Sequence, residues 1–154
     1  PEGLLDQYVD IVEQTKANPD AADISYHCAY TFAAVCKTMG QSSWPVLKAP
    51  FATLCKDAQV KTRRSMAASM HIVAKTVGPT LAAVEVLPFF EAALQDGTHE
   101  VRHAALRNVA ALLQAMPIVS AQARVLTLLQ GAMGRPEVWR PRHLVASQLG
   151  AACE

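Results

Sequence analysis

His99-Glu100-Val101-Arg102-His103 fits the pattern H-E-x-x-H. On a helix that spacing puts two imidazoles on one face, one turn apart. There they can ligate zinc while the Glu acts as general base of a hydrolase. The chemistry needs a third ligand. No G-x-x-H follows, and residues 104–136 contain no Asp, Glu, His or Cys. The pentapeptide also falls at the expected start of a helix, not in its middle. A zinc hydrolase through His99, Glu100 and His103 is the remote reading, and adventitious zinc on the two imidazoles the lesser one. Ser25, Ser65, Ser69 and Ser147 lack a G-x-S-x-G context, and no glycine-rich phosphate loop is present. His27 and His71 stand among apolar neighbours and read as structural, hydrogen-bonded histidines. Lys56, Lys61, Arg63 and Arg64 form a local basic cluster, read mainly as solvated charge around one structural Arg, with contact to an acidic partner or a phosphate as the functional alternative.

The elements that carry these residues repeat. Arg63, Arg102 and Arg142 are spaced by 39 and 40 residues, Asp57 and Asp96 each precede their Arg by six, and Phe51 and Phe90 are 39 apart. Met66, Met70, Val73 and Val77 match Ala105, Val109, Leu112 and Met116, and 38 residues upstream they match Cys28, Phe32, Val35 and Met39. Offsets of 0, 4, 7 and 11 trace one face of an α-helix. Val145, Leu149 and Ala152 begin the same face a fourth time. Gly40 and Gly78 close similar tails and are placed to cap helices, while Pro117 stops the third. A period of this length is the signature of stacked helical hairpins.

The expected architecture is all-α: an α-solenoid of about four helical pairs over residues 3–40, 41–78, 79–117 and an incomplete 118–154. Each pair is helix A, a turn, then helix B. The A helices are expected near residues 4–14, from Trp44, from Leu81 and near 120–130, and the B helices near 23–39, 61–77 and 99–115. A fourth B helix opens at Arg142 with Pro141 in its first turn. Ser42 and Ser43 are N-cap candidates ahead of Trp44-Pro45. Pro50 and Pro88 fall inside A helices and should bend them. Gly131 to Pro136 reads as the last A-to-B loop. Neither end supplies a polar capping repeat, so a segment of a longer solenoid is expected.

Composition narrows the function. Of 154 residues 51% are hydrophobic and 6% aromatic, which suits close helix packing. Fourteen Lys and Arg against 13 Asp and Glu leave a net charge of +1, no global footprint for nucleic acid or an anionic membrane. No apolar run approaches the roughly 20 residues that span a bilayer. Cys28, Cys36, Cys55 and Cys153 form no C-x-x-C pair and read as reduced thiols in an intracellular protein. No cofactor and no resident metal is expected. In a repeat array each unit packs on its neighbours and the long surface binds something else, so an adaptor is favoured over an enzyme.

Asp-x-x-x-x-Val-Arg at the turn into helix B resembles the HEAT-repeat signature. Asp96, Val101 and Arg102 fill it, and so do Asp57 and Arg63 with Thr62 in the Val position. The Asp closes the turn and the Arg can reach the next Asp, a ladder that fixes register. The ladder looks incomplete: Ser25 stands where an Arg is expected, and Glu137 stands near the fourth Asp position. Residues 24–30, 57–64 and 139–142 resemble the family of protein phosphatase 4 regulatory subunit 1, itself similar to the scaffold subunit of protein phosphatase 2A. The likeness runs through roughly residues 3–150. It departs at Val60, where the family often has Trp, and in its many alanines.

The resemblance implies a non-catalytic regulatory subunit that holds a Ser/Thr phosphatase catalytic subunit and its substrates, with no nucleic acid partner and no membrane insertion. It places the partner contact on the A-to-B turns: Gln59, Val60 and Lys61, then Thr98, His99 and Glu100, then Val138, Trp139 and Arg140. Trp139 and Arg140 are the best anchors by residue type, although Trp139 equally suits the interior of its own repeat. Asp57, Arg63, Asp96, Arg102 and Arg142 are structural repeat positions. The alternative is a HEAT adaptor for another cargo in transport, cytoskeletal or ciliary assembly. The implied compartment is the cytoplasm, with nucleus and cilium also open.

Overall fold

The computed structural model of the chain describes residues 2–17, 21–133 and 146. Among the described residues every regular element is a helix. They are α1 (Glu2–Ala17), α2 (Ala22–Met39), α3 (Trp44–Cys55), α4 (Val60–Val77), α5 (Pro79–Leu81), α6 (Leu87–Leu94), α7 (His99–Leu106), α8 (Val109–Ala115) and α9 (Val119–Met133). A 3₁₀ turn at Gln41–Ser43 leads into α3, and a π-helical turn at Ala82–Val86 joins α5 to α6. The fourth B helix, with Pro141, Arg142, Val145, Leu149 and Ala152, lies outside the described residues, as does Cys153.

The helices stack in two layers. In one, α2 packs on α4, and α4 packs on α7 and α8. In the other, α1 packs on α3, and α6 packs on α9. α1 packs beside α2, and short turns pair α3 with α4 and α6 with α7. This is the all-α, solenoid-like arrangement the sequence period implies.

The core lies between the layers. Met66, Met70, Val73 and Val77 are all buried, and so are Ala105, Val109, Leu112 and Met116. The first helical pair shields its face less: Cys28 and Phe32 are buried, while Val35 and Met39 are only half-buried. Phe51 is the aromatic centre. Its ring lies 5.6 Å from Phe32, 5.5 Å from Trp44 and 5.2 Å from Phe89, tilted or edge-on in each case. Such geometry suits the ring quadrupole and adds to the gain from burial. Trp44 also ties two A helices together, its indole N–H donating to Glu85 Oε2 at 2.5 Å.

Gly40 (φ 75°) and Gly78 (φ 86°) end α2 and α4 in the left-handed region, which glycine enters without a Cβ penalty. Each N–H bonds a carbonyl four residues back, Cys36 and Ala74 respectively. The two glycines cap as their matching tails suggest.

Four local expectations change. Helix 99–115 is not continuous. It breaks after Leu106, and at the turn Asn108 places its side-chain amide onto the Ala104 carbonyl at 3.0 Å while its own N–H bonds the Ala105 carbonyl. Asn competes for backbone partners in this way, so α7 stops and α8 restarts. The proline bend in the third A helix becomes a wide π turn in which Leu87 N–H bonds Ala82 O. Pro88 has no N–H for the Val84 carbonyl, and its ring would crowd that oxygen in a regular helix. Ser43 does not cap α3 through its side chain; its hydroxyl donates back to Met39 O at 3.2 Å. Gly131 belongs to α9, not to a loop, because the helix runs on to Met133.

Phe51→Ala removes the ring on which Phe32, Trp44 and Phe89 converge. A loss of about 3–5 kcal/mol is expected, the range for truncating a buried Phe. Urea unfolding followed by circular dichroism measures it, and a loss below about 1 kcal/mol would show that the neighbouring rings repack.

Candidate functional site

The turn into α4 and the turn into α7 are built alike. Asp57 Oδ1 accepts the Gln59 N–H at 2.7 Å, and Asp96 Oδ1 accepts the Thr98 N–H at 2.8 Å. Each carboxylate thus closes its own turn two residues on. Arg63 Nη1 donates to the carbonyls of Asp57 (2.8 Å) and Ala58 (2.9 Å), and Arg102 Nη1 donates to that of Asp96 (2.6 Å). An Arg six residues past the Asp therefore ties the helix to the turn before it.

Arg63 also reaches forward. Its Nε and Nη2 donate to Asp96 Oδ2 (2.8 Å) and Oδ1 (3.2 Å), and Nη2 lies 3.4 Å from Thr98 Oγ1. One guanidinium joins two successive turns with a two-point grip on the carboxylate. Both side chains are largely shielded from solvent. Hydrogen bonding from Arg63 holds the Asp96 carboxyl below the usual carboxylate range, and the same bond raises the guanidinium.

Ser25 does not interrupt this ladder. Its hydroxyl donates to Asp57 Oδ2 and lies 3.5 Å from Thr62 Oγ1. The rung survives with a hydroxyl in place of a guanidinium because Ser25 is buried directly against the turn. The next rung, from Arg102 toward Glu137, lies outside the described residues.

On that frame the expected contact residues differ in availability. Gln59 and Val60 are half-buried, and Val60 packs against the core. Lys61 pairs with Asp23 and lies 5.5 Å from the Tyr26 ring. Thr98 is held by Asp96 and Arg63. His99 and Glu100 are exposed, and Glu100 pairs with Arg64 at 2.8 Å. Val138, Trp139, Arg140 and Arg142 lie outside the described residues. Ala58 and Gly97 form the exposed tips of the two turns.

The basic cluster is largely spoken for. Arg63 meets Asp96, Arg64 meets Glu100, Lys61 meets Asp23, and Lys56 lies 5.6 Å from the Phe89 ring. The pairs with Asp23 and Glu100 bridge neighbouring helices, a role the sequence reading did not give those acids. Opposite charges 36 to 38 residues apart were the available signal. The rings of His99 and His103 stack at 5.9 Å, and among the described residues no three His, Cys, Asp or Glu gather as a metal site. Burial lowers the pKa of His71, a hydrogen bond with the Ala68 backbone opposes that, and its buried Nδ1 has no well-formed hydrogen bond. Cys28, Cys36 and Cys55 are free thiols, and burial pushes Cys36 up to about 11. No described helix is long and apolar enough to cross a membrane.

Asp96→Asn keeps an acceptor for the Thr98 N–H but removes the charge that Arg63 grips. A loss of about 1–3 kcal/mol at pH 7 is expected from urea unfolding. The depressed Asp96 pKa gives stability that is full above the unfolded value of about 3.9 and drains as pH falls toward the folded one. The gap between parent and variant should therefore close below about pH 4, and a gap constant to pH 2.5 would refute the linkage.

The model of the protein phosphatase 4 regulatory subunit 1 middle domain matches residues 28–131. Serine/threonine-protein phosphatase 4 regulatory subunit 1 of Homo sapiens is 32% identical over 150 residues, 97% of this chain and 16% of the relative. The proteins of the same name from Mus musculus and Rattus norvegicus match equally. The chain thus spans about one sixth of the length of these relatives. No solved structure matches it. The model's match to the α2–α9 stack and the near-full-length similarity place the chain in the protein phosphatase 4 regulatory subunit 1 family.

Proposed function

We propose that the chain is one stretch of a continuous HEAT-repeat array, residues 1–154, in a non-catalytic intracellular scaffold. The scaffold holds a Ser/Thr phosphatase catalytic subunit and its substrates close together. The observation that carries this reading is the pair of matched turns joined by Arg63, which fixes their tips at one edge of the stack. A rigid row of turns presents contacts without an ordering cost at binding, and tethering two partners raises their effective concentration. The phosphoester chemistry belongs to the partner. Family membership supports a phosphatase partner over transport, cytoskeletal or ciliary cargo.

The zinc-hydrolase reading has little support. His99 and His103 lack a third ligand among the described residues, and Glu100 is engaged by Arg64. Stoichiometric zinc in the purified protein, lost with His103→Ala, would restore it.

The test is affinity capture of the full-length parent from its own cells, read by mass spectrometry. Ala58→Glu with Gly97→Glu adds bulk and charge at the turn tips while leaving Asp57, Arg63, Asp96 and Arg102 in place; a Cβ at Gly97 meets nothing within 4 Å. A second variant, Trp139→Ala with Arg140→Ala, probes the third turn. The parent should retain a Ser/Thr phosphatase catalytic subunit, and at least one variant should lose most of it. Retention by both variants would move the contact away from these turns. Capture of other proteins and no phosphatase would favour the other-cargo adaptor.

A further inference from the structure

The two layers carry opposite charge. The helices α2, α4 and α7, with Arg107 just beyond, hold seven Lys and Arg against two acids, Asp23 and Glu100. The opposite layer, α1, α3, α5, α6 and α9 with Ala82–Val86, holds six acids against three bases. A net charge near zero for the chain hides this division.

The two acids of the basic layer are already bound, Asp23 to Lys61 and Glu100 to Arg64. Lys37, Lys75 and Arg107 are exposed, and each has no carboxylate partner among the described residues. They recur once per helical pair. Lys37 and Lys75 hold matching positions on α2 and α4; Arg107 matches Ala68 by the 39-residue period and so lies on the same face two turns earlier. Residues seven apart share a helix face, so Tyr30 shares that of Lys37, Ala68 that of Lys75, and His103 lies one turn before Arg107. Tyr30 is 70% exposed although it is a large aromatic residue.

We propose that this face of the α2, α4 and α7–α8 layer binds an acidic polypeptide segment laid across the helices. Charge complementarity names the partner, and spacing fits it. Packed helices sit about 8–10 Å apart, and an extended chain advances about 3.3 Å per residue. One carboxylate in every three residues therefore meets Lys37 and Lys75 in turn, and about four residues cross obliquely to Arg107, two turns along, while Tyr30 and the imidazole of His103 offer ring faces and a polar edge to the intervening backbone. Nucleic acid fits less well: duplex DNA carries one charge per roughly 1.7 Å of axis, far denser than one free cation per helix. The surface is separate from the turn tips, so a scaffold could hold two proteins at once.

The experiment uses the full-length parent and a fluorescein-labelled peptide of about twelve residues with Glu at every third position, with Gln in its place as control. Fluorescence anisotropy should show binding of the Glu peptide only, weakening as salt rises from about 0.05 to about 0.5 M. Lys37→Glu, Lys75→Glu, Arg107→Glu together should weaken binding at least tenfold. Lys48→Glu, the same charge change on exposed α3, should leave it within twofold. If the triple reversal melts earlier by circular dichroism, Lys37→Gln, Lys75→Gln, Arg107→Gln replaces it, with a several-fold loss expected. No binding by the parent, or equal binding by the neutralised variant, overturns the proposal. Tighter binding of a single-stranded DNA of equal charge also overturns it and assigns the face to nucleic acid.

Discussion

One guanidinium sets the geometry of the middle of this molecule. Arg63 bonds two carbonyls of the turn before its own helix and the carboxylate of the turn that follows. A greasy interface between stacked helices tolerates sliding, since burial is non-directional. A fork of donors on two carboxylate oxygens does not, because both distances must hold together. The apolar faces of α4 and α7 supply most of the attraction, and Arg63 selects the register in which it is realised. The ion pair is partly shielded, so its contribution lies more in that selection than in net stability.

The same economy explains the charged surface. Lys61 and Arg64 stand in a cluster that reads, in one dimension, as a positive patch, yet each is balanced by an acid on a neighbouring helix. What remains unbalanced lies elsewhere on the layer, at positions that looked unremarkable one by one. The division of charge between layers is a property of the stack, and it becomes visible only when helices 38 residues apart are set side by side.

Much of the fold was legible because the repeat made each residue its own control. The face of Met66, Met70, Val73 and Val77 is read once and used again at Ala105, Val109, Leu112 and Met116, and both sets are buried. The glycine caps and the Asp–Arg turns followed from the same comparison. Failures fall where a residue acts outside the repeat. Asn108 breaks its helix through its own side chain, which an apolar pattern does not register. Ser25 looked like a missing Arg because its closeness to Asp57 depends on how α2 meets α4. Pairings such as Asp23 with Lys61 depend on which helices become neighbours, and residue type alone does not decide that. Of the third turn, Trp139 and Arg140 are known only as sequence.

The π turn at Ala82–Val86 also keeps an account of chain length. In α3 one buried row runs Trp44, Leu47, Phe51, Leu54, beside buried Pro50; in the next A helix the matching row runs Ala82, Val86, Phe90, Ala93, beside buried Leu87 and Leu94. The first step is three residues in one and four in the other, and the remaining steps agree. Gly40 and Gly78 are 38 apart, whereas Asp57 and Asp96 are 39 apart. The surplus residue is absorbed inside a single widened turn, and everything after it returns to phase. A one-letter insertion, which in a β-strand would turn every later side chain inside out, is here a local swelling. An array with such a joint can lengthen or shorten by a residue without rewriting its neighbours.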